Sequence, residues 1–238
     1  MPVVPHASLP ARSLAGIELF AGLDSGLRGK IEALCRWRSV AAEQTIIDRD
    51  DEGSDVYFLV AGRARVVLFS QAGREVSFDE IGAGACVGEL AAIDGQARSA
   101  SVIALAPTLV AILPQAAFHG LLATEPKVTL ALLRRLASVL RQATGRIFEL
   151  STLGAHNRVY AELLRLARTA GTGAAARTAI RPIPAHGDIA ARVSTTRETV
   201  ARVLSELAKK GIVAREKSEL VLLDPKRLKA MVREFSQG

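Results

Sequence analysis

The fold of this chain turns on residues 84–102, Gly-Ala-Cys-Val-Gly-Glu-Leu-Ala-Ala-Ile-Asp-Gly-Gln-Ala-Arg-Ser-Ala-Ser-Val. Gly84 and Gly88 flank a small apolar run, Glu89 precedes Arg98 by nine residues, and Ser99 follows the arginine directly. A guanidinium is a planar fork suited to phosphate oxygens. A glycine lets an anion approach backbone N–H groups closely, because no side chain intervenes. A carboxylate can only accept hydrogen bonds, so Glu89 suits a sugar hydroxyl and not a phosphate. The stretch describes a pocket for a ligand that carries both a phosphate and a ribose. An alternative is a glycine-rich turn with a surface Glu–Arg pair, which contributes little by itself.

Short β-rich runs lie on both sides. Upstream are Ile46-Ile47, Val56 to Val60 and Ala64 to Phe69, separated by the turn clusters Asp50-Asp51-Glu52-Gly53 and Gln71-Ala72-Gly73-Arg74. Gly62 stands where a strand must bend. Val76 to Ile81, Ser101 to Ala106 and Thr108 to Leu113 continue the series. Regularly spaced short strands predict a small antiparallel barrel or jelly roll. Before them, Ile17 to Val40 has a mostly helical pattern, with Trp37 expected to pack at its end.

Pro114 ends the strand series and Ala116 to Leu122 reads as a short helix. Thr124-Glu125-Pro126 then resembles a helix start, and a long helix is expected over roughly Lys127 to Thr152. Leu133, Leu140 and Ile147 recur every seven residues, with Leu136 or Ala137, Ala143 or Thr144, and Leu150 on the alternate seam. That heptad pattern predicts a parallel homodimer along this helix; the alternative is one helix packed on its own barrel. Gly154 is a plausible hinge before a helix over Asn157 to Thr169, and Gly171 to Ala176 reads as a small-residue loop.

Further on, Asp188 to Val193, a Ser194-Thr195 turn and Thr196 to Leu207 make two short helices around a tight turn, a helix-turn-helix. Val200, Val203, Leu204 and Leu207 face inward, while Arg197, Glu198 and Arg202 project outward. Arginine can bond both acceptors of guanine, and glutamate can accept from the cytosine amino group. Ala185-His186-Gly187 stands where a capping Ser or Thr is usual, so Asp188 is expected to cap slightly later or the helix to fray. Lys209-Lys210-Gly211 ends the second helix, and Ile212 to Arg215 and Leu220 to Leu223 form a two-stranded wing.

Composition agrees with this division. Residues 155–238 carry 16 Lys/Arg against 8 Asp/Glu, whereas residues 1–154 carry 15 against 16. A basic C-terminal third on a near-neutral remainder suggests a polyanion-binding module. No apolar run reaches the ~18 residues of a membrane helix, so no membrane partner is expected. The Pro-containing start reads as a loose tail and not a signal peptide. Cys35 and Cys86 alone give neither a disulfide framework nor metal-type spacing, which suggests a reducing, cytoplasmic setting. His6, His119, His156 and His186 form no sequence cluster, so neither catalysis nor metal ligation is expected.

Gly88-Glu89-Leu90 followed by Arg98-Ser99-Ala100 resembles the phosphate-binding cassette of cyclic-nucleotide-binding domains. The Gly53 to Gly62 spacing is similar to the first half of their barrel. Thr196-Arg197-Glu198-Thr199-Val200, with Arg202, resembles the recognition helix of the cyclic AMP receptor protein and fumarate-nitrate regulator (CRP/FNR) family. The resemblance implies an α+β chain with an N-terminal antiparallel β jelly-roll, a long dimerisation helix and a C-terminal winged helix-turn-helix. It implies cAMP, or cGMP, as allosteric effector, held by Gly88, Glu89, Leu90, Arg98 and Ser99. Glu89 would take the ribose 2′-hydroxyl, and Arg98 with Ser99 the cyclic phosphate. Thr144 would reach the base, although Ala143-Thr144 offers one hydroxyl where the family's receptor has two. Thr196, Arg197, Glu198, Thr199 and Arg202 would bind double-stranded DNA at inverted repeats near TGTGA, with RNA polymerase as a further partner. The family's iron–sulfur sensors need four cysteines, so no such cluster is expected; neither haem nor another metal is expected. The expected domains are residues 1–15 as a tail, 16–123 as the barrel, 124–153 as the dimerisation helix and 154–238 as the DNA-binding domain. A regulator with another effector or none, and a nucleotide-binding signalling protein without a DNA role, remain the alternatives.

Overall fold

A computed structural model describes residues 12–70, 75–169 and 178–234. The turn read at Gln71 to Arg74 and the loop read at Gly171 to Ala176 lie outside them. The chain divides into two compact units, Met1–Val139 and Leu140–Gly238.

In the first unit a 3-10 turn (Glu18–Phe20) and α1 (Ser25–Leu34) precede eight strands. These are β1 (Arg36–Val40), β2 (Thr45–Ile47), β3 (Val56–Ala61), β4 (Arg63–Phe69), β5 (Glu75–Gly82), β6 (Cys86–Val87), β7 (Ser101–Ala104) and β8 (Thr108–Leu113). One antiparallel sheet has the order β1-β8-β3-β6 and the other β2-β7-β4-β5. The expected jelly-roll architecture is therefore present. The helical reading of Ile17 to Val40 holds only to Leu34: Trp37 lies in β1, paired with Ala111 of β8. The apolar spacing through Leu34 is helical, but beyond it sheet pairing takes over the chain, a tertiary effect that local pattern does not carry.

Alternation along the strands builds two cores. Leu59, Val110 and Ile112 join Ile47, Ala64, Ile81 and Val102 in a cluster contributed by both sheets. Phe58, Ala111 and Leu113, one residue out of phase, pack instead with Phe20, Phe118, Val128 and Leu132. All six residues of β8 are buried for this reason, one face against the other sheet and one against helices. The stretch read as a tail is fastened at its end: Leu14 is fully buried and its N–H donates to Glu32 (2.7 Å).

After β6 come α2 (Glu89–Asp94), then past β8 come α3 (Gln115–Thr124) and α4 (Pro126–Thr152). The predicted long helix is present, and the boundary between the two units falls inside it. Its early residues Val128 and Leu132 are buried, whereas Leu133, Leu140 and Ile147 are 57%, 68% and 65% exposed.

The second unit holds α5 (Ala155–Thr169), β9 (Thr178–Ile180), α6 (His186–Arg192), α7 (Arg197–Lys209), β10 (Val213–Glu216), β11 (Glu219–Leu222) and α8 (Pro225–Glu234). The helix-turn-helix and wing are present. Val200, Val203 and Leu207 of α7 are buried against Val159 and Leu163 of α5 and Leu228 of α8. The wing gains a third strand, in the order β10-β11-β9, which the sequence reading missed along with α8. Gly211 (φ +65) closes α7: its N–H donates to Ala208 O and that of Ile212 to Leu207 O.

Gly62 (φ +92) joins β3 to β4, and a Cβ there would lie 2.3 Å from Thr108 Oγ1 and 2.7 Å from Pro107 O. The left-handed backbone and the close approach of another chain segment both require glycine. Gly62→Ala should cost the first unit about 2–4 kcal/mol, seen as a lower urea midpoint in a fluorescence melt.

Candidate functional site

Gly88 (φ +82) turns the chain from β6 into α2, which places Glu89 at the first helical position. A Cβ at Gly88 would lie 2.6 Å from Arg98 Nη1 and 3.0 Å from Asp55 O. Arg98 is only 4% exposed. Its Nη1 donates to Gly88 O (3.0 Å) and its Nη2 to Asp55 O (2.9 Å). Its Cζ stands 5.7 Å from the Tyr57 ring centroid, and its buried Nε has no hydrogen-bond partner. Among the described residues no carboxylate forms a salt bridge with it. Burying a guanidinium with no carboxylate in salt-bridge contact is costly, so this pocket favours an anion.

Glu89 is also buried, and burial pushes its carboxyl above the usual range. The Arg135 guanidinium opposes that rise, with Nε 3.7 Å from Glu89 Oε1. Arg135 Nη2 donates to Cys86 O (2.7 Å). The sequence reading missed Arg135. Its signal was a cation one position before the seam residue Leu136 in the half of α4 that meets the barrel. From behind, Gln115 Nε2 donates to Ala92 O (2.9 Å), and His119 Nε2 meets the same oxygen, which fixes α2 against α3.

A cavity of about 290 Å³ brings together Gly88, Glu89, Leu90, Arg98, Ser99 and Arg135. That is close to the lower end for small-molecule sites, ~300 Å³. Leu90 and Ser99 are exposed. On α4 the lining reaches Val139 and does not include Thr144, whose exposed hydroxyl donates to Leu140 O (2.9 Å).

In the second unit α7 carries the other predicted residues. Arg197, Glu198 and Arg202 are exposed. Thr196 is the N-cap: its Oγ1 accepts from Thr199 N (3.2 Å) and lies 3.0 Å from Thr199 Oγ1. The two threonine hydroxyls are thus engaged in shaping the start of the helix. α6 begins at His186 with Ala185 as N-cap and no side-chain cap, so Asp188 lies within the first turn and not at a later start. Ala185 O instead accepts from the backbone N–H groups of Asp188 and Ile189 (3.0 and 3.2 Å). A Cβ on Gly187 would lie 2.8 Å from Arg197 Nε, the far end of an exposed side chain that can move aside.

Arg158, also absent from the sequence reading, ties three segments of this unit together. Its Nε donates to Val193 O (2.8 Å), its Nη2 to Ser194 O (3.1 Å) and its Nη1 to Leu153 O (2.8 Å). The turn between α6 and α7 is thereby held to the chain just after α4. Beneath it, buried Glu162 accepts both Nε and Nη2 of Arg165 (2.8 and 2.6 Å), and Arg192 Nη1 stands 3.6 Å away. No helix among the described residues is long and apolar enough to cross a membrane.

Comparison with known proteins gives the same two parts. A family model described as a cyclic nucleotide-binding domain matches residues 37–125, and one described as a Crp-like helix-turn-helix domain matches residues 157–231. The cyclic AMP receptor protein of Thermus thermophilus is 34% identical over 168 residues, 71% of this chain and 74% of that protein. A CRP-like cAMP-activated global transcriptional regulator of Mycobacterium tuberculosis is 26% identical over 184 residues, 77% of this chain and 82% of that protein. In fold, a CooA variant from Carboxydothermus hydrogenoformans superposes with a TM-score of 0.78 at 20% identity, over 91% of this chain and 95% of that one. With a nucleotide-type cassette in one unit and a winged helix-turn-helix in the other, this chain belongs to the CRP/FNR family of DNA-binding transcription regulators.

Proposed function

We propose that this regulator binds a 3′,5′-cyclic purine nucleotide in the cavity and, as a homodimer, reads an inverted repeat of the TGTGA type. The observation that carries the effector reading is Arg98, a buried cation without a carboxylate partner, beside Glu89, a buried acceptor. Arg98 and Ser99 take the cyclic phosphate, and Glu89 accepts from the ribose 2′-hydroxyl. The receptors of Thermus and Mycobacterium carry cyclic AMP in their names, which supports a cyclic nucleotide as the class of effector.

The homodimer reading rests on α4. Leu133, Leu140, Ile147 and Leu150 leave an exposed apolar stripe at coiled-coil spacing. Thr144 would meet a base only across that seam. Arg197, Glu198 and Arg202 reach base edges in the major groove, while Thr196 and Thr199 set the start of the helix and lie next to the phosphates. The effector acts as a population shift: it binds the arrangement that holds the two recognition helices about 34 Å apart more tightly than any other. RNA polymerase is the partner such a regulator recruits or blocks.

Three outcomes are expected. Arg98→Leu abolishes nucleotide-stimulated operator binding in a gel shift and leaves a folded dimer; unchanged stimulation would defeat the effector reading. Arg197→Ala costs about 1–3 kcal/mol at one base position and relaxes selectivity there, whereas equal loss on all DNA sequences would assign it to a phosphate. The double variant Leu140→Arg with Ile147→Arg sediments as a monomer; a surviving dimer would place the interface elsewhere.

A further inference from the structure

The cavity has one carboxylate that the phosphate-and-ribose reading leaves unused. Its charged and hydroxyl-bearing lining is Glu89, Arg98, Ser99, Arg135 and Asp79. The first four belong to or touch the cassette. Asp79 comes from β5, at the far edge of the sheet ordered β2-β7-β4-β5. Arg98 belongs to the opposite edge: a Cβ on Gly88, to whose carbonyl Arg98 is bonded, would lie 3.3 Å from Ile47 Cδ1 of β2. Along the sheet, β2 and β5 are three strand spacings apart, roughly 14 Å. A ligand whose phosphate sits on Arg98 therefore extends its other end, the base, toward Asp79.

The strand geometry aims Asp79 into the cavity. It pairs with Val66, and Ile81 pairs with Ala64; Val66, Asp79 and Ile81 line the cavity with Leu68. Immediately beyond, the register slips, so that Val67 pairs with Ser77. Such a bulge redirects side chains and recurs beside binding sites. The lining from β4 and β5 is Val66, Leu68 and Ile81, all apolar, plus this carboxylate. Asp79 accepts one hydrogen bond, at Oδ1 from Glu80 N (2.9 Å). A carboxylate has about four acceptor sites, so Asp79 retains capacity for a ligand.

We propose that Asp79 reads the base edge of the effector and selects guanine over adenine, which makes cyclic GMP the preferred ligand. This inference rests on the cyclic-nucleotide reading above. A carboxylate offers two acceptors side by side. Guanine presents two adjacent donors, N1–H and the N2 amino group, and satisfies both. Adenine presents the N6 amino donor beside the N1 acceptor, so one contact is made and one lone pair faces another. A binding site built of acceptors discriminates strongly against a group that brings an acceptor, because the buried polar atoms are left unpaired.

The test is titration calorimetry of the full-length protein with cyclic GMP, cyclic AMP and cyclic IMP, which keeps N1–H and lacks the amino group. The wild type is expected to bind cyclic GMP roughly tenfold or more tightly than cyclic AMP, with cyclic IMP between them. Asp79→Ala should remove the preference by weakening cyclic GMP alone. Asp79→Asn, which sets a donor beside an acceptor, should turn it toward adenine and guards against a variant that fails to fold. Equal or tighter binding of cyclic AMP by the wild type overturns the proposal, as does a guanine preference that survives both substitutions; either result leaves the cyclic-nucleotide reading standing. Binding of none of the three removes that reading and this inference with it.

Discussion

A buried guanidinium sets the terms for the first unit. Arg98 is 4% exposed, and its orientation is fixed by two backbone carbonyls, those of Gly88 and Asp55. Holding a cation there requires bare backbone beside it, which is why residue 88 has no Cβ and adopts φ +82. That left-handed turn starts α2 and seats Glu89 in the same cavity. The carbonyls satisfy two donors and neutralise no charge, which leaves the pocket favouring an anion. Cassette geometry and helix start thus follow from one desolvated charge.

α4 carries the chemistry in both directions. Arg135, on its barrel-packed part, bonds Cys86 O and pairs with Glu89. Beyond its end, Leu153 O accepts from Arg158, which also holds Val193 O and Ser194 O in the turn before the recognition helix. A helix with 27 residues and an exposed seam gains most of its stability from packing, so its order depends on what covers that seam.

Much of this was legible from residue pattern. The strands appeared as short β-rich runs, α4 as a heptad series, and α7 as an inward row of Val200, Val203 and Leu207 with Arg197, Glu198 and Arg202 outside. These are local periodicities, and local periodicity survives into structure when one face is buried. Residues 36–40 were misread because their strand character comes from β8, about seventy positions away. The third strand of the wing, β9, escaped for the same reason: three residues carry no pattern until β11 lies beside them.

The sequence by itself determined the architecture, the cassette and the recognition helix, because each is written in spacings of a few residues that backbone geometry converts directly into faces and turns. Only the tertiary structure decided what meets in the cavity. Arg135 and Asp79 come from α4 and β5, and neither has a local signature tying it to Gly88 or Arg98. Charge pairing acts through space over a few ångströms, and sequence separation says nothing about which side chains come that close.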